Sequence, residues 1–158
     1  MKALKFIVIT LLLFTVSCSD NEEIAKEESQ NFNYLTFGHF FGSCGGDNCV
    51  QTFQLTNDKL FKDTISDYTG EDLNFTELSN EKYELVKDLM DAFPAELLNS
   101  DEDFFGCPDC SDGGGLFIQY SENGILKSWR IDLFKTNVPE YLHDFMDEVQ
   151  EKIALINE

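Results

Sequence analysis

From residue 34 onward the chain alternates between short apolar runs and polar breaks. Residues 34–41 are dense in aromatic, β-branched and other apolar side chains, which suits a buried strand. A Gly-rich stretch, 42–48, interrupts the run. Residues 50–55 then suit a second strand, with Phe53 and Leu55 on one face. Thr56-Asn57-Asp58-Lys59 is a turn signal, and Leu60-Phe61 starts a short strand after it. Residues 63–77 are polar and Gly-containing and read mostly as loop. Asn80 can cap a helix running to about Phe93, because Val86, Leu89, Met90 and Phe93 fall at the i, i+3, i+4, i+7 spacing of one apolar face. Pro94 ends that helix or opens a further short turn through Leu98.

The sharpest local signal is Asn123-Gly124. This pair between two alternating runs favours a type I′ hairpin turn, since both residues tolerate positive φ. With those two in the turn, Ile118 sits opposite Trp129 and Leu116 opposite Ile131. Ile125, Trp129, Ile131 and Leu133 then share a core face with Leu116, Ile118 and Tyr120. Ser128, Arg130 and Asp132 point the other way, as do three large apolar residues, Phe117, Leu126 and Phe134. A last helix starts near Pro139. Leu142, Phe145, Met146, Val149, Ile153 and Ile156 repeat along it with helical period, opposite Asp144, Asp147, Glu148 and Glu151. The order strand, strand, helix, hairpin, helix predicts one α+β domain over residues 34–158. Its expected form is an antiparallel sheet of four or five strands with two helices on one face.

Composition narrows the partners. The chain has 158 residues, 42% hydrophobic and 13% aromatic, enough to bury a core. It carries 30 acids against 11 bases, a formal charge of −19. Phosphate binding needs clustered Lys and Arg, so nucleic acid is excluded as a natural partner, and anionic lipid headgroups are disfavoured. The sequence contains no P-loop, G-x-G-x-x-G, H-E-x-x-H or G-x-S-x-G motif.

The N-terminus reads as an address. Lys2 and Lys5 give a basic start, and residues 6–16 form a run that is apolar apart from Thr10 and Thr15. A spanning helix needs about 20 apolar residues, so this run fits the core of an export signal instead. Thr15-Val16-Ser17-Cys18 follows at once. Ser17 and Cys18 resemble the end of a bacterial lipoprotein signal, with Thr15 standing where Leu is usual. The resemblance implies cleavage before Cys18 and lipid on its sulfur and amine, hence anchorage to a membrane. Ser19 in second position implies the outer membrane. Asp20, Glu22 and Glu23 resemble an acidic surface-export tag of some Gram-negative lipoproteins. The expected location is therefore an outer-membrane lipoprotein, facing the periplasm or the cell surface. Residues 18–33 read as the lipidated Cys and a flexible acidic tether, which would hold the domain roughly 20 Å from the membrane.

Five cysteines are odd in number, and assigning Cys18 to lipid leaves Cys44, Cys49, Cys107 and Cys110. An exported chain sits in an oxidising compartment, which favours two disulfides. Sequence does not choose among their three connectivities. A bridge between the two loops would enclose roughly 60 residues and stabilise by about 4 kcal/mol. The second reading is a four-thiolate metal site, zinc above all, because Gly106-Cys107-Pro108-Asp109-Cys110 looks like a zinc-ribbon knuckle. The third is redox catalysis by Cys107 and Cys110. Asp109 and Asp112 oppose it, because they would raise the thiol pKa.

The two histidines carry less. His39, among Phe37, Phe40 and Phe41, reads as a hydrogen-bonded structural residue, and His143 as a surface residue beside the apolar stripe of the last helix. Lys127 and Arg130 are expected to pair with acids such as Asp132. No Ser or Cys has a sequence-visible base. The expected function is thus a non-enzymatic binding or accessory module without a cofactor, anchored by Cys18 and stapled by two disulfides. An envelope or extracellular partner would meet loops 37–49 and 104–115 through Phe40, Phe41, Asp47, Phe104, Phe105 and Asp109. The alternative is a zinc- or copper-binding protein using the four thiolates.

Overall fold

A computed structural model describes residues 33–46 and 48–158. Residues 1–32, which hold the expected signal segment, Cys18 and nearly all of the expected tether, and Asp47 lie outside the described residues. Among those described, seven strands and three α-helices follow one another: β1 (Tyr34–Phe40), β2 (Val50–Thr56), β3 (Leu60–Asp63), β4 (Phe75–Glu77), α1 (Asn80–Val86), α2 (Ala95–Leu98), β5 (Phe104–Phe105), β6 (Gly115–Glu122), β7 (Ile125–Asp132) and α3 (His143–Asn157). The strands form one sheet in the order β4-β3-β2-β1-β6-β7-β5. Every neighbouring pair is antiparallel except β5 and β7, which run parallel.

The fold is α+β as expected, but the sheet is larger than four or five strands and is mixed. The extra edge strands explain the difference. With three and two residues, β4 and β5 are too short for period-2 alternation to show, and neighbouring strands place them. The hairpin follows the expected register, with Ile118 opposite Trp129 and Leu116 opposite Ile131. Asn123 and Gly124 have φ of 51° and 80°, the left-handed pair that a type I′ turn requires. Ile125 departs from expectation: directly after the turn, it is 66% exposed and outside the core.

One face of the sheet carries the core. Leu35, Phe37, Phe53, Leu55, Leu60, Leu116, Ile118, Trp129 and Ile131 alternate onto it and meet Val86, Leu89, Leu97 and the apolar stripe of α3. Ser79, not Asn80, caps α1, its side chain accepting from the Lys82 N–H. The expected single helix is shorter, passing into a 3₁₀ turn at Lys87–Met90. Phe93 fills the space between helices and hairpin. Its ring stacks on Tyr120 at 4.4 Å and lies 5.9 Å from Trp129 and 5.7 Å from Phe145.

Among the described residues, the helices pack their buried side chains on the core face and not on the other. The segment between β3 and β4 lies over part of it instead, so Phe117 is buried although its register points it away from the core. Two carboxylates give this segment its shape. Buried Asp63 accepts from the N–H groups of Ser66 and Asn74, both at 2.7 Å. Asp67 accepts from the Thr69 hydroxyl and from the N–H groups of Thr69, Glu71 and Asp72. The Thr69 hydroxyl and these amides hold the Asp67 carboxyl down at about 2. A depressed carboxylate stabilises the fold above its unfolded value near 4, and that contribution is lost as pH falls through the folded value. The segment is therefore expected to loosen between about pH 4 and pH 2. Hydrogen exchange at residues 69–72, compared at pH 5 and pH 2, checks this.

Gly70 closes the segment onto the sheet. Its φ is +73°, and a Cβ there would sit 2.8 Å from the Phe117 ring. Gly70→Ala is expected to cost about 1–2 kcal/mol from the left-handed backbone alone. Thermal unfolding reads the loss, and faster exchange confined to residues 66–74 localises it.

Candidate functional site

Pairing of β1 with β6 sets Phe40 opposite Gly115, so the loops that follow β1 and precede β6 stand side by side at one end of the sheet. Each loop closes on itself. Cys44 bonds to Cys49 and Cys107 to Cys110, with Cα separations of 5.6 and 5.4 Å. The disulfide reading holds, and no bridge joins the two loops. Loops this short yield about 2 kcal/mol each in the chain-entropy account, against about 4 for a bridge between them. Sulfurs in disulfides offer no thiolate, and among the described residues no group of three or more His, Cys, Asp or Glu is placed to hold a metal ion. Cys110 opens a three-residue 3₁₀ turn with Ser111 at φ 56°, and not the N-terminus of an α-helix, the usual means of activating such a thiolate.

A carboxylate makes the link between the loops. Asp109, itself at φ 63°, accepts through Oδ2 from the Gly42 N–H at 2.8 Å and the Tyr68 hydroxyl at 2.8 Å. Its Oδ1 accepts from the Gly114 N–H at 3.0 Å, and its own N–H donates to the Gly114 carbonyl. The Tyr68 hydroxyl, then the two backbone N–H groups and the nearby Arg130 charge, hold the Asp109 carboxyl below its ordinary value against the opposing effect of burial. Burial, then Asp109, pushes the Tyr68 phenol up. At neutral pH the pair is a carboxylate accepting from a neutral phenol.

Arg130 completes the junction. Its guanidinium lies 3.8 Å from the Phe40 ring centroid and 4.9 Å from that of Tyr68. It donates to the carbonyls of Tyr68 at 2.9 Å and Thr69 at 3.1 Å. The expected pairing with Asp132 does not occur. Asp132 instead accepts from the N–H groups of Cys107 and Phe134 and from the Asn137 amide. Lys127 likewise donates to the carbonyls of Leu98 and Ser100 rather than to an acid. Both cations serve carbonyls because chain segments without regular pairing leave those oxygens in reach. Replacing Arg130 by Lys is expected to cost about 1–2 kcal/mol, since an ammonium cannot stack flat and donate as a fork together. Urea unfolding measures it.

Beside Arg130 opens a cleft of about 420 Å³ between the β3–β4 segment and the sheet. Glu71, Asp103, Phe104, Gln119 and Ser128 give it chemical character. Phe104 is 62% exposed, held at the sheet edge by the pairing of β5 with Arg130 on β7.

The expected site residues divide accordingly. Phe104 faces the cleft. Phe105 and Phe40 are buried, Phe105 in the core and Phe40 beneath Arg130, so neither offers a surface to a ligand. Phe41 is half-buried against Gly114. Asp109 is partly buried and links three segments through its carboxylate. His39 is structural as expected, its Nε2 lying 2.9 Å from the Asn48 carbonyl. His143 is tied down more than a surface residue would be, with Nε2 2.9 Å from the Lys135 carbonyl. Sequence reasoning missed Tyr68, Glu71, Gln119, Ser128 and Arg130 as parts of one site. The available signal was Phe117 and Arg130 in register on the outward face, an arrangement that calls for a second covering layer. A scan against protein-family models and a search of curated proteins both find no match to the chain.

Proposed function

We propose that this protein is an exported, lipid-anchored binding module of a Gram-negative envelope, without catalytic activity of its own. Its ligand or partner meets the end of the sheet where the two disulfide loops, the β3–β4 segment and β5 converge. One observation carries the reading. Segments up to 67 positions apart are locked together by Asp109 and Arg130 around an open cleft with an exposed phenylalanine at its rim. A rigid frame presenting an aromatic beside a few polar groups is the form that recognition sites take. The lipobox-like Ser17-Cys18 supports the anchor, and two disulfides support an oxidising compartment.

Two experiments test this. Expressed with its own signal, the chain should partition into the detergent phase and carry lipid on Cys18; Cys18→Ser should abolish both. Equal partitioning of the variant would refute the anchor. Immobilised full chain should retain an envelope component, with retention falling at least tenfold in Phe104→Ser. Retention indifferent to Phe104, or none at all, would refute the binding site.

A further inference from the structure

We propose that the cleft takes a neutral carbohydrate, with one pyranose ring lying on Phe104. This rests on the binding reading above and assigns its ligand class. The cleft's 420 Å³ falls within the roughly 300–1,000 Å³ of small-molecule sites. Its lining then decides among ligand chemistries.

Charge of both signs is present. Glu71, Asp103 and Arg130 all line it, and the Arg130 N–H donates to the Asp103 carbonyl. A polyanion would meet two carboxylates on a chain with 30 acids and 11 bases, and Arg130 is already engaged with two carbonyls and two rings. An organic cation would meet that guanidinium. An apolar ligand would strip water from Gln119, Ser128, Glu71 and Asp103 and return no hydrogen bond, a cost on the order of 1–3 kcal/mol per group.

A sugar satisfies each of these groups. Among the described residues, the side chains of Gln119, Ser128, Glu71 and Asp103 make no hydrogen bond, so their capacity is open to a ligand. The Gln119 amide and the Ser128 hydroxyl both donate and accept, as sugar hydroxyls do. The two carboxylates accept from hydroxyls in charge-assisted bonds. Gln119 and Ser128 are directly paired across β6 and β7, so both project from the same face. The exposed Phe104 ring supplies the remaining element. Its electron-rich face suits the polarised C–H face of a pyranose, which neither an ion nor a flat amide offers. The cleft wall is fixed in place, because Gly70 sits directly on Phe117.

The test is a panel of neutral, uronic-acid-bearing and sulfated oligosaccharides presented to the full chain in a detergent without a sugar headgroup. Titration of the best ligand into the full chain is followed by isothermal calorimetry. Neutral glycans should be retained over charged ones. Phe104→Ala and Gln119→Ala should each weaken binding at least tenfold, while Leu85→Ser, on an exposed helix surface, should leave it unchanged. Retention of charged glycans only, or equal binding by Phe104→Ala, would overturn the assignment. So would retention of no glycan. If no glycan binds but an envelope protein is still captured through Phe104, the carbohydrate assignment falls and the binding module stands. If neither occurs, both fall.

Discussion

Replacing Trp129 by alanine is expected to remove about 3–5 kcal/mol of stability, the largest single loss anywhere in the domain. Trp129 is 1% exposed and lies where the hairpin, Phe93 and the helical layer meet. Its partner across β6 is Ile118, itself fully buried. Truncation leaves a cavity that Phe93 cannot fill, because that ring is already committed to Tyr120 and Phe145. Against a total of about 5–15 kcal/mol, the variant sits close to the unfolding threshold. Trp129→Phe keeps a ring in the site and should cost less than half as much. Urea unfolding of the two variants measures the difference. Equal losses would mean that the site tolerates no repacking.

Asp132→Ala is expected to follow, at about 3 kcal/mol, because hydrogen bonds to a charged acceptor contribute roughly 1.5–3 each and buried donors left alone are costly. The carboxylate ends β7 and is 2% exposed. It ties the Cys107 N–H at 3.1 Å, the Phe134 N–H at 2.8 Å and the Asn137 amide at 2.7 Å into one junction. Nothing larger fits nearby: a Cβ at Gly106, where φ is +72°, would lie 2.7 Å from the Asp132 Cβ. Burial alone would raise the Asp132 carboxyl, but the bonds from Asn137, Phe134 and Cys107 outweigh it and hold the group below its ordinary value. Its contribution is therefore complete above the unfolded carboxylate value near 4 and declines as pH falls through the lower folded value. The alanine variant should lose this part of the acid dependence. Asp132→Asn keeps the shape but turns an NH₂ toward donors, so it should not restore the wild-type stability. A variant as stable as wild type at pH 7 would show that water replaces the carboxylate.

Much of the framework was legible because its signals are local. Asn123-Gly124 with alternation on both sides named the turn, and the turn fixed which residues oppose one another. Six apolar positions at helical spacing named α3 and its buried face. The site was not legible, because its contacts join distant positions. Gly42 and Asp109 are 67 residues apart, Tyr68 and Asp109 41, and Arg130 and Tyr68 62. A polar, Gly-containing stretch such as 63–77 has no periodicity to read, yet Asp63 and Asp67 organise it by gathering backbone N–H groups. Cysteine spacing left three connectivities open. The choice depends on where β1 and β6 deliver the loops, and Asp109 supplies the link that an inter-loop bridge would have made.

The most direct measurement is the intact mass of the protein, extracted without reductant, followed by fragment mapping. The expected result is a chain four hydrogens lighter than the reduced form, without metal, and fragments linking Cys44 to Cys49 and Cys107 to Cys110. A zinc- or copper-sized adduct on a fully reduced chain, or a bridge between the two loops, would contradict it.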